Sequence, residues 1–173
     1  MGIVMNREKF EKMETEELGR ACIEPILHPL RGKDPSVKAQ AYERLTPGQR
    51  ALFMFHVLHD HACPSAGEFA GWLAYTQQEF SYWIGIVAGL RFYEQQELLA
   101  ILEGTILVLE ERNRRLGKSM AEFTVLDMDD DRKLREQITS FYVEYQRQVP
   151  HTLRDIGQYI RRHPNEFVSW EPQ

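Results

Sequence analysis

The chain has 173 residues, enough for one domain around one hydrophobic core and too few for two. Apolar residues make up 43% and charged residues 27%, near globular averages, which argues against disorder away from the ends. The net charge of −5 argues against non-specific binding to nucleic acid or anionic membrane, because both need a basic face.

The opening MGIVMNREKF has no long apolar run and does not read as a signal peptide. Asn6 stands where a myristoylation motif needs Ser or Thr. Over the first 30 residues, Phe10, Met13, Leu18, Cys22 and Ile26 predict one or two short amphipathic helices, broken near Pro25 and Pro29. Residues 1–5 and 165–173 are expected to be loosely ordered ends of a single helical domain, 1–173. Cys22 and Cys63 lie far apart with no CxxC pair, which fits two free thiols in a reducing cytosol.

Helix starts are the clearest punctuation. Asp34-Pro35 places an N-cap before a proline at the first helical position. Thr46-Pro47-Gly48-Gln49 does the same and forms a capping box. It opens a helix over 47–62 with its stripe on Ala51, Met54, Phe55, Leu58 and Ala62. Ser65-Ala66-Gly67-Glu68 reads as a second capping box. The spacing of Phe80, Trp83, Ile84 and Val87 predicts a helix over 77–93, and Leu98, Ile101, Leu102, Thr105 and Leu109 predict another over 94–116. The longest apolar segment, FSYWIGIVAGL (80–90), falls far short of the ~20 residues needed to span a bilayer.

EFTVLDM (122–128) reads as one short strand or an extended linker, with Asp127 or Asp129 capping the helix after it. That helix, 129–149, carries Leu134, Ile138, Phe141, Tyr142, Tyr145 and Val149. Pro150 removes a backbone donor, so a kink or restart is expected before a last helix over 150–162. The class is therefore all-α: an irregular bundle of six to eight helices with at most one short strand, 47–62 and 77–93 being central.

HVLHDHAC (56–63) holds three histidines, an aspartate and a cysteine in eight positions. At about 100° per residue, His56, His59 and Cys63 share one flank of the helix, with Asp60 just beyond and His61 pointing elsewhere. Spacings of three and four residues stack side chains, and zinc or a similar transition metal accepts nitrogen, sulfur and oxygen donors. The metal candidates are therefore His56, His59, Cys63 and Asp60, with His28, His151 or Glu68 as a further ligand from elsewhere. The competing reading is a polar helix end, where the dipole favours histidine and the side chain caps free carbonyls. A metal-free polar pocket for a small ligand is the third.

Aromatic residues gather over 69–93, and Trp72, Tyr75, Tyr82 and Trp83 are candidates to line an apolar-ligand pocket or an exposed contact face. Core packing accounts for the same pattern. Gly117-Lys118-Ser119 is not a phosphate loop, since Arg112 occupies the required glycine position. DMDDDR (127–132) is not a calcium loop, since Arg132 and Ile138 stand where Gly and Glu are needed. Glu110 and Glu111 pair along the helix with Arg114 and Arg115, and this ERNRR stretch also offers a small partner-binding patch.

The stretch YERLTPGQRALFMFHVLHDHACPSAGEF (42–69), with L-x-P-x-x-R-x-L opening a helix, resembles a bacterial all-helical family of unknown function that includes small acidic DNA-mimic proteins. The resemblance covers under a fifth of the chain, and SAGEF (65–69) departs from the family's Asn-Gly-Gly-aromatic turn. It implies an all-α fold and a protein-binding role, and no site residue is carried over from it. The sequence thus leads to a non-enzymatic cytoplasmic interaction domain whose partner is another protein or a second copy of itself. A metal protein or metal-dependent enzyme centred on 56–63, and an apolar-ligand binder, are the alternatives.

Overall fold

Side-chain caps set the helix boundaries. The computed structural model describes residues 3–172, and within them the fold is all-α. A strand β1 (Ile3–Met5) leads into α1 (Arg7–Lys12), capped by the Asn6 carboxamide, and α2 (Leu18–Leu27). Then follow α3 (Pro35–Glu43), α4 (Pro47–Ala62), α5 (Ala66–Gln78), α6 (Phe80–Phe92) and α7 (Gln96–Leu116). One turn of helix, α8 (Asp127–Asp130), precedes the long α9 (Arg132–Arg162), then α10 (Pro164–Phe167) and β2 (Val168–Trp170). The ten helices among the described residues exceed the six to eight expected, because α1 and α2 are separate and two single-turn helices flank α9.

The expected caps are present at α3 and α4. The Asp34 carboxylate accepts the Ser36 amide, and both halves of the Thr46–Gln49 capping box are made. At α5 the Ser65 hydroxyl accepts the Glu68 amide. A remote acid adds to α4: Glu166 accepts the Gly48 amide at 2.6 Å, which places negative charge at a helix N-terminus. The residues 122–128 form no strand; a 3₁₀ turn over Met120–Glu122 leads to α8 instead. Asp131, not Asp127 or Asp129, caps α9 by accepting the Leu134 amide at 2.9 Å. Asp127 is occupied elsewhere, by the buried Arg112 guanidinium at 2.7 Å.

Pro150 does not break α9, which runs 31 residues without interruption. Proline inside a helix costs about 3 kcal/mol. Here Pro150 sits on the exposed face, while Tyr145, Val149, Thr152, Ile156 and Ile160 form a continuous buried stripe across it. Packing of that stripe outweighs one missing hydrogen bond.

Helix α4 is the axis of the bundle. From Ala51 to His56 every residue is buried, and the helix is covered by α2, α5 and α6. The close approach of α6 needs glycine: a side chain at Gly89 would meet the Ala51 backbone oxygen at 3.0 Å. Helix α9 closes the other side against α2, α5 and α7. There Gly157 admits the Thr15 carbonyl, which a Cβ would meet at 1.8 Å. Strands β1 and β2 pair as a two-stranded parallel sheet, with Val4 opposite Ser169. No described helix is long and apolar enough to cross a membrane.

Candidate functional site

The 56–63 segment is the C-terminal half of α4, and its side chains go to different places. His56 is 1% exposed and lies against α2, where a Cβ on Gly19 would meet its Nε2 at 3.3 Å. Phe55 meets its ring edge-on at 5.2 Å. Neither ring nitrogen has a hydrogen-bond partner among the described residues. Burial, reinforced by the nearby Arg20 charge, pushes His56 down to about 3, so the ring is neutral. A helix-end cap therefore does not describe this residue. The wheel correctly sets it off the main stripe, but α2 covers that flank.

Asp60 is tied to Arg20 of α2 through both carboxylate oxygens, one of them at 3.0 Å. Arg20 also reaches Glu24 at 3.1 Å, and Glu24 is held by Arg31 at 2.8 Å. Burial alone would raise the Asp60 carboxyl, but hydrogen bonding and charge from Arg20 hold it below its usual range. His59 is half-buried, stacks on Phe55 at 5.8 Å, and shares a 3.0 Å hydrogen bond between its Nδ1 and the Tyr145 hydroxyl. Burial lowers its basicity too. Cys63 is the C-cap of α4, and its carbonyl accepts the Tyr142 hydroxyl at 2.5 Å.

The four residues named together as metal ligands thus go separate ways: Asp60 pairs with Arg20 and His59 with Tyr145, while the His56 ring is buried without a hydrogen bond among the described residues and Cys63 is engaged through its backbone carbonyl. His28 and His151 are exposed on α2's end and on α9, and Glu68 is exposed in the first turn of α5. Among the described residues no group of three or more His, Cys, Asp or Glu side chains is arranged to hold a metal ion. The residues that complete the cluster, Arg20 and Tyr145, come from α2 and α9. Their sequence spacing of 40 and 86 positions from Asp60 and His59 carries no signal.

His61 leaves on the opposite side of α4 and begins an aromatic stack. Its ring lies 4.0 Å from Trp72, Trp72 lies 5.0 Å from Tyr75, and Tyr82 meets Trp72 at 5.8 Å. Tyr75 is 38% exposed, and the indole N–H of Trp72 is buried without an acceptor among the described residues. Trp83 is half-buried and packs against the core. Three of the four aromatic candidates are therefore brought together, and they pack on one another.

Beside this stack runs the outer face of α6. Its sequence, FSYWIGIVAGLRF, has one charged residue, Arg91. Such a helix is usually enclosed, and α6 is covered by α4, α5 and α7. Yet Ile84 is 56% exposed, and Ser81, Ala88 and Arg91 are exposed with it. Spacings of three, four and three residues set these four on one stripe, the seam pattern of paired helices. The sequence reading placed this helix at the centre of the bundle and missed the open stripe. Comparison with protein-family models, curated proteins and solved structures yields no match.

Proposed function

We propose that this chain is a non-enzymatic, cytoplasmic protein-interaction domain, and that its partner at the open stripe of α6 is a second copy of itself. The observation that carries the reading is an almost wholly apolar helix with one uncovered stripe, on which Ile84 is 56% exposed. Exposed apolar surface of this kind marks contact sites. Antiparallel pairing across a two-fold axis would set Ile84 of each copy against Ala88 of the other. The same pairing brings Arg91 to the other copy's Ser81 and toward its exposed Glu79, so the charges are complementary at both ends. The resemblance of 42–69 to an all-helical family of unknown function that includes small acidic DNA-mimic proteins implies a protein-binding role and points the same way.

Sedimentation velocity over a concentration series tests this. The reading expects a reversible dimer in the unaltered protein and a monomer in Ile84→Asp, whose circular dichroism should be unchanged because the site is exposed. A monomer at every concentration, or an Ile84→Asp variant that still dimerises, overturns it.

A further inference from the structure

Helix α6 ends in a turn that has an energetic cost. The Gln95 amide donates back to the Leu90 carbonyl at 2.8 Å, and Glu94 sits between them in the left-handed region, with φ of 58°. Glycine is the usual residue there, because a side chain is disfavoured at that φ. Residues kept in disfavoured conformations cluster at functional sites. Glu94 is among the residues lining a half-open cleft of about 480 Å³ between this turn and the last turns of α9. That volume is in the range of small-molecule sites.

The turn is anchored to α9, and exposed acidic and basic residues line the cleft together. Gln95 is 5% exposed and fixes the turn to α9: its amide nitrogen donates to the Tyr93 carbonyl at 2.9 Å and to Asp155 at 3.0 Å. Its oxygen accepts from Thr152 at 2.7 Å. One Asp155 oxygen is thereby held in place. Arg162, two turns further along α9 from Asp155, and His163 also line the cleft, the latter 4.4 Å from the Tyr159 ring. The Arg162 Nε binds its own helix at the Gln158 carbonyl, 3.3 Å away. Among the described residues no ion pair joins Glu94 or Asp155 to Arg162 or His163.

We infer that this cleft binds a small zwitterion of the amino-acid or short-peptide class, its ammonium against Glu94 and Asp155 and its carboxylate against Arg162 and His163. Acidic and basic groups spaced along one cleft without pairing to each other suit a ligand carrying both charges at its two ends. A simple anion would meet two carboxylates, and a simple cation would meet the guanidinium.

Calorimetric or NMR titration with the dipeptide Gly-Gly tests the inference. Saturable binding is expected, with no binding of acetyl-Gly-Gly-amide, which lacks both charges. Arg162→Ala and Glu94→Gly should each weaken Gly-Gly binding about tenfold, the effect of removing roughly 1.4 kcal/mol of charged contact. Glu94→Gly relieves the turn, so lost binding there does not reflect misfolding. Absence of saturable Gly-Gly binding at millimolar concentration overturns the inference, as does unchanged affinity in both variants. Equal affinity for acetyl-Gly-Gly, an anion only, does the same.

Discussion

Replacing His56 by leucine should remove much of the protein's sensitivity to acid. In the folded chain burial and the Arg20 charge push His56 down to about 3, while in the unfolded chain it titrates near 6.5. The unfolded state therefore binds the proton more readily. The stabilisation is fully present above the unfolded value and is lost as pH falls from there toward the folded value. Each pH unit in that window is worth about 1.4 kcal/mol, so at a pH two units below the unfolded value the loss is about 3 kcal/mol.

His59 acts in the same direction, since its basicity is also lowered by burial. Asp60, held below its usual carboxylate range, contributes only in stronger acid. The assay is urea unfolding at pH 7 and pH 4.5. The unaltered protein should lose at least about 3 kcal/mol between them, and His56→Leu about 3 kcal/mol less. At pH 7 the variant should be as stable as the original or more so by about 1 kcal/mol, because leucine leaves no buried polar atom unpaired. Equal acid sensitivity in both proteins would refute the buried neutral histidine.

Three further outcomes follow from the packing. Gly157→Ala drives a methyl to 1.8 Å from the Thr15 carbonyl, so thermal unfolding should show a loss of about 3 kcal/mol or more. Glu94→Gly should raise stability by about 1 kcal/mol, read from the denaturation midpoint, because glycine suits the left-handed turn. Cys22 is 1% exposed and burial pushes its thiol up to about 12. A thiol reagent at pH 8 should therefore label Cys63 first and Cys22 only on unfolding.

Much of this molecule is legible in the sequence because local chemistry decides it. Asp34, Thr46 and Ser65 act as caps where their positions say they should. The stripes of α4, α7 and α9 are buried as their spacing predicts, except that Ile101 and Phe141 are half-buried at the edge of the core. Pro150 misleads because its effect depends on which face it occupies, and burial on either side of it decides the outcome. His56 misleads for a related reason. A helical wheel gives its direction but not the element that covers it, and α2 brings Arg20, 40 residues upstream of Asp60, to take that carboxylate. The aromatic stack was visible as a composition bias, but its geometry depends on His61 of α4 meeting Trp72 of α5. The open stripe of α6 could not be read at all, since an apolar helix in a sequence looks the same whether three sides are covered or four.

The central claim, that copies meet along α6, is tested most directly by placing cysteines on the stripe. Ile84→Cys combined with Ala88→Cys, in a Cys63→Ser background, should give a covalent dimer on mild oxidation, seen on a non-reducing gel. A single Leu107→Cys in the same background, at a site 63% exposed on α7, should give no more than a trace. Equal cross-linking in the two proteins, or none in the first, would contradict the account.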